Sequence, residues 1–231
     1  MSAPLSADAQ KQAAGEAAAQ LVQPTMTVGL GSGSTAEAFV RALARRTLAV
    51  RAVATSEATA TLAASLGFDL LDLNAAGLID LTVDGADEIG PGLALIKGGG
   101  AALLREKLVW EASARRVVIA DASKRPGRFG RFPLPIEVVA FGHATTAARI
   151  DVTLARLGLA ARARLRLRDG QPVRTDGGNL IYDAPCEEIG DPAALAGALK
   201  ALTGVVEHGL FLDLAERAVI GTDEGVVTFF P

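Results

Sequence analysis

Two periodicities alternate along the first half of the chain. Short apolar runs, MTVGL (26–30), LAVRAVA (48–54), LIDLTV (78–83) and RRVVIA (115–120), each run into a polar or glycine-bearing loop. Three of these loops lead into stretches with helical composition and spacing: AEAFVRALARR (36–46), EATATLAASLG (57–67) and AALLREKLVWEA (101–112). An alanine-rich segment over 7–22 predicts one more helix ahead of them, closed off by Pro24. Strand, loop and helix repeated in this way predict an α/β class: an open, mostly parallel Rossmann-like sheet with helices on both faces.

The pattern changes near residue 130. IEVVA (136–140) reads as a strand, HATTAARIDVTLARLG (143–158) as a helix and RARLRLR (162–168) as a strand of strict alternation. DGQPVRTDGGNLIYD (169–183) supplies further extended pieces with glycine turns, and DPAALAGALKAL (191–202) another helix. That order predicts a small ferredoxin-like α+β domain. GVVEHGLFLDLAERAVIGTDEGVVTFF (204–230) then reads as strands returning to the first domain. The expected organisation is a larger α/β domain of residues 1–130 and 207–231, interrupted by a small domain of residues 131–206.

Composition narrows the function. The 231 residues are 50 % hydrophobic and 21 % charged, with a net charge of -3, so no global field gathers nucleic acid or anionic lipid. The N-terminal stretch lacks the basic start and apolar run of a signal peptide, and no segment has the apolar length of a membrane span. A single cysteine, Cys186, allows no intramolecular disulfide and suits a reducing compartment. The expectation is a soluble cytoplasmic protein. Its two histidines, His143 and His208, offer neither metal-ligand spacing nor a nucleophile elbow, and are read as structural.

Ligands of open parallel sheets bind at the carboxyl ends of the strands, and the unusual residues of this chain fall in those loops. GSGST (31–35), TSE (55–57), DGADE (84–88) and DASK (121–124) are expected to converge on one crevice. GLGSGST offers amide N–H groups and hydroxyls at a helix start, a geometry that suits phosphate oxygens. It lacks the lysine of a nucleotide P-loop and the third glycine of a dinucleotide fingerprint. Arg162, Arg164, Arg166 and Arg168 alternate without interleaved aromatics, which predicts a solvated strand face rather than an RNA surface. TDGGN (175–179) reads as a turn.

The densest chemistry lies in DGADEIGPGLALIKGGG (84–100): three acids, one lysine and a run of glycines, followed by Glu106 in the next helix. From the residues alone this set is either a structural ion-pair network or a reaction site, and its place at the crevice favours the site.

GLGSGSTA, DLTVDGADEIGPGLALIKGGGAALLREKLV, VVIADASK, TDGGN and GVVEHGLF, in that order and from near residue 29 to near residue 211, resemble type A ribose-5-phosphate isomerase. The acidic and KGGG segments carry most of the specificity. The resemblance implies that Glu106 is the catalytic proton acceptor, with Asp84, Asp87 and Lys97 around the reacting carbons. It implies a substrate site formed by Ser32, Gly33, Ser34 and Thr35; by Asp84, Gly85, Ala86 and Asp87; by Lys97, Gly98, Gly99 and Gly100; and by Lys124, with Lys11 approaching the phosphate. Ser32 departs from the family's usual threonine but keeps the hydroxyl. The reaction so implied interconverts ribose 5-phosphate and ribulose 5-phosphate through an enediolate.

That chemistry needs a base that takes and returns one proton and a cation near the enediolate oxygen, and no redox cofactor or metal. The expected partner is a small sugar phosphate, with neither nucleic acid nor membrane, and the resemblance implies a homo-oligomer, a dimer or tetramer. Two other readings stand beside it: a non-catalytic sugar-phosphate-sensing effector domain of related fold, and a coenzyme A transferase-like enzyme. About 25 residues precede the first strand, too few for the helix-turn-helix that such sensors carry.

Overall fold

The computed structural model describes residues 4–125 and 127–231. Met1–Ala3, part of the N-terminal stretch read above, lie outside them. The described chain divides into two compact units. The first takes the chain up to Ala86, Arg105–Arg125 and Asp213–Pro231; the second takes Asp87–Leu104 and the described part of Pro126–Leu212.

The first unit is built on a seven-stranded sheet. Its order is Gly225–Phe229, Arg217–Thr222, Ser113–Asp121, Ile79–Gly85, Thr27–Leu30, Arg51–Ala54 and Asp69–Leu70, and every neighbouring pair is parallel except the Arg217–Thr222 and Gly225–Phe229 hairpin. Successive side chains leave opposite faces of a strand. Leu30, Leu81, Val83 and Ile119 pack with Ala14, Ala18, Phe39 and Leu43 of the helices Ala7–Ala19 and Ser34–Arg45. On the other face Gly29 is a glycine because a β-carbon there would lie 2.9 Å from Val109 of the helix Leu103–Glu111. Helices therefore cover both faces, as the alternating pattern predicts.

The second unit runs strand, helix, strand, strand, helix, strand. Its four-stranded antiparallel sheet has the order Val205–His208, Leu134–Val138, Leu180–Ala184, Arg164–Leu165, that is, fourth, first, third, second. This is the ferredoxin-like arrangement expected. Ile150 and Leu154 of the helix His143–Arg156, with Leu195 and Leu199 of Pro192–Lys200, close its core over Leu134, Ile136, Val138 and Leu180.

Three details of the expected organisation change. Residues 87–104 were placed in the larger domain, but their strands Glu88–Ile89 and Leu95–Ile96 pair with Leu210–Phe211 in a separate three-stranded sheet of the second unit. Buried Glu88 fastens them there, its two carboxylate oxygens accepting from the Gly130 and Phe132 amides at 2.6 Å each. Second, of the closing strands expected in the larger domain, Val205–His208 joins the small sheet, and only Arg217–Thr222 and Gly225–Phe229 join the large one. Third, RARLRLR is not one strand but the pairs Arg164–Leu165 and Leu167–Arg168 on two sheets, broken at Arg166.

Candidate active site

In the first unit the loop after Thr27–Leu30 is shaped by its glycines. Gly33 sits at φ +93°, in the left-handed region, immediately before the helix Ser34–Arg45, and has no side chain with which to cap it. The helix start therefore carries amide N–H groups that its N-cap residue does not cap, the kind of terminus that suits an anion. Gly33 and Ser34 are exposed, whereas Thr35 is buried against Gly85, its Cβ 3.9 Å from where a Gly85 β-carbon would stand.

Ser32 is held from two sides. Its amide donates to Asp84 Oδ1 at 3.0 Å, and its hydroxyl meets Thr55 Oγ1 and Ser56 Oγ at 2.8 Å each and Thr59 Oγ1 at 3.2 Å. Thr59 in turn donates to the Gly31 carbonyl. The Ser32 hydroxyl thus fastens the first loop to the second. Asp84 is fully buried, its Oδ1 also accepting the Gly85 amide at 2.7 Å.

Lys124 closes a short 3₁₀ turn, Ala122–Lys124. Asp121 caps it, accepting from Ser123, and Gln10 Oε1 accepts the Ala122 amide at 3.1 Å while its Nε2 donates to Asp223. Arg125 stacks over Phe229 at 3.9 Å. Gln10 carried no sequence signal, lying within an alanine-rich helix. Its neighbour Lys11 pairs with Asp8 at 3.3 Å and, with Ser34, lines a cavity of about 520 Å³. Glu106 lies in the first turn of Leu103–Glu111 and is 4 % exposed.

The second unit holds Asp87, Lys97 and the three glycines. Asp87 Oδ2 accepts the Gly99 amide at 2.7 Å, and the Asp87 amide donates to the Ile96 carbonyl. Lys97 is 2 % exposed; its amide donates to the Gly209 carbonyl, and its ammonium stands 5.4 Å over the Phe211 ring. Gly98 sits at φ +108°, and a side chain there would also meet Leu103 at 2.7 Å.

Arg166 overturns its expected place on a solvated face. Arg162, Arg164 and Arg168 are exposed, but the Arg166 side chain is 15 % exposed and fully engaged with Asp183 and with two of the glycines. TDGGN is a turn as read, and one with a purpose: Thr175 and Asn179 both donate to buried Glu137. The histidines are structural, His143 against the Tyr182 hydroxyl at 2.7 Å and His208 buried in its strand.

A family model described as ribose 5-phosphate isomerase A (phosphoriboisomerase A) matches residues 51–225. The chain belongs to the ribose 5-phosphate isomerase A family. A relative from Caulobacter sp. (strain K31), named ribose-5-phosphate isomerase A, is 63 % identical over 98 % of this chain and all of its own length. The crystal structure of ribose 5-phosphate isomerase A from Neisseria gonorrhoeae superposes with a TM-score of 0.91 at 33 % identity, covering 99 % of each chain. That of ribose 5-phosphate isomerase from Plasmodium falciparum gives 0.91 at 35 %, covering 97 % of this chain and 99 % of its own. The chain is accordingly an aldose–ketose isomerase that interconverts D-ribose 5-phosphate and D-ribulose 5-phosphate, and the sensor reading is not favoured.

Proposed function

We propose that Glu106 is the base of this isomerisation. It removes the proton from C2 of the open-chain aldose, leaving an enediolate, and returns it to C1; Asp84 or Asp87 moves the accompanying proton from O2 to O1, so that no atom is gained or lost. Lys97 stabilises the negative oxygen as it develops. Gly85 and Ala86 with the two aspartates, and Gly98, Gly99 and Gly100 with Lys97, approach the sugar through backbone. Ser32, Gly33, Ser34, Thr35 and Lys124 hold the phosphate, with Lys11 beside it.

The burial of Glu106 carries this reading. A carboxylate in a helix first turn is normally solvated, and one drawn out of water and held by partners inside the fold is characteristic of reaction sites. The base stands on a helix, which fixes its direction better than a loop does. The same reading assigns charge stabilisation to an ammonium, so it includes metal independence. It also includes a cytoplasmic homo-oligomer, dimer or tetramer, without nucleic-acid or membrane partners; sedimentation of the purified protein reads the oligomeric state.

The test is Glu106→Gln, which keeps shape but removes the basic oxygen. The expected result is a fall in kcat of at least about 10²–10⁴-fold with binding largely retained and an unchanged thermal midpoint. Exchange of the C2 proton in heavy water should fall in parallel. If the variant exchanges that proton at the parental rate, Glu106 is not the base, and Asp84 and Asp87 are next to be changed.

A further inference from the structure

Three consecutive glycines form the most flexible backbone a chain can have, yet Lys97–Gly100 must present an ammonium and amides in fixed directions. Two groups of the second unit hold it. From one side Asp87 accepts the Gly99 N–H at 2.7 Å. From the other, Arg166 Nη1 donates to the Gly98 carbonyl at 2.8 Å and to the Gly99 carbonyl at 3.0 Å. The Gly98 carbonyl also accepts the Ala101 amide at 3.0 Å. Gly99 is therefore held at both its N–H and its C=O.

The guanidinium is itself aimed. Its Nε donates to Asp183 Oδ2 at 2.8 Å and its Nη2 to Asp183 Oδ1, a bidentate pair whose side chains are 15 % and 26 % exposed. Asp183 stands on the central strand Leu180–Ala184, anchored in register to Leu134–Val138. The planar fork thus reaches a strand-borne carboxylate with one edge and two loop carbonyls with the other, a task that a lysine ammonium, a single point of charge, cannot reproduce. The cation also neutralises the negative ends of two carbonyl dipoles in the loop.

From this geometry we infer that Arg166, oriented by Asp183, is a positioning residue for the isomerisation: it holds the Lys97–Gly100 loop in the form that receives the substrate. The inference rests on the assignment of Lys97–Gly100 to the substrate site. Arg166 does not touch the reacting atoms in this account, and acts through Gly98 and Gly99.

The experiment compares Arg166→Ala, Arg166→Lys, Asp183→Asn and Lys97→Ala for kcat, KM and thermal midpoint on the same preparations. Arg166→Ala should lose about 10²-fold in kcat/KM, the cost of small misplacement at a reacting centre, with KM raised as well as kcat lowered. Arg166→Lys should recover little of it. Millimolar guanidinium, well below denaturing concentration, should restore part of the activity of Arg166→Ala and none of that of Lys97→Ala. Should Arg166→Ala fold poorly, Asp183→Asn, which leaves the guanidinium but loosens its aim, should show a smaller loss of the same kind. Parental kcat/KM in a folded Arg166→Ala, or full activity in Arg166→Lys, would overturn the inference while a crippled Lys97→Ala leaves the loop's assignment standing. A parental Lys97→Ala would overturn the assignment itself.

Discussion

The Asp84 carboxylate lies against the α-carbon of Gly31, in the space that a side chain at position 31 would take. The same Oδ1 accepts the amides of Ser32 and Gly85. A methyl group at 31 therefore displaces the carboxylate and both loops together. Gly31→Ala should cost about 1–3 kcal/mol of stability, as overpacking of a tight interior does. It should also lower kcat/KM by about 10²-fold through misplacement of Asp84. Denaturant unfolding and steady-state kinetics on one preparation check both, and a parental kcat/KM removes Asp84 from the proposed proton relay.

Lys124 acts, in the proposed site, on the end of the substrate remote from the proton transfer. Lys124→Ala should raise KM about tenfold or more and change kcat less. Its turn is fastened by Asp121 and Gln10 rather than by the lysine itself, so the thermal midpoint should stay near the parental value. An unchanged KM would take Lys124 out of the phosphate site.

Turnover should survive exhaustive chelation, because the developing charge is assigned to Lys97 rather than to a divalent ion. The check is the isomerase rate after dialysis against EDTA, with and without added divalent cations. Loss of activity reversed by one of them would reassign the role of Lys97.

Cys186 is buried, and that burial pushes its thiol up to about 11. A raised value means the folded state holds the proton more tightly than the unfolded chain, whose thiol titrates near 9. The associated stability is complete below about pH 9 and is lost as pH rises toward 11. Parent protein should therefore lose more of its thermal midpoint between those values than Cys186→Ala does. At pH 8 iodoacetamide should label the native chain far more slowly than the chain in urea. Equal pH slopes for the two proteins would show the thiol to be solvated.

The large sheet and the small ferredoxin-like unit were legible because each rests on periodicity: Leu81 and Val83, or Ile136 and Val138, fall on one face by simple alternation. Asp84, Asp87 and Lys97 stood out as charges in a glycine-rich segment, whereas Glu106, set between Arg105 and Lys107, was singled out by the resemblance. Arg166 did not, since its neighbours Arg164 and Arg168 have the same spacing and face solvent. What distinguishes it is a carboxylate 17 positions away and two carbonyls 67 and 68 positions away, contacts that only the fold creates. Ser32 is the same lesson in the other direction. Its hydroxyl suits an anion, and nothing local says that it also meets Thr55, Ser56 and Thr59.

The pairing of Glu88–Ile89 and Leu95–Ile96 with Leu210–Phe211 means that the chain passes between its two units four times, at Ala86, Leu104, Arg125 and Leu212. In evolutionary terms the small unit is not a cassette. A recombination event that exchanges the segment after Arg125 as one block sets Glu88 against positions 130 and 132 of a different parent, and the KGGG loop against that parent's position 166. Chimaeras of divergent relatives cut only at residues 126 and 212 should therefore be less stable than those that also carry residues 87–104 from the same parent. In this chain a single crossover between residues 104 and 126 is enough to separate that loop from its clamp.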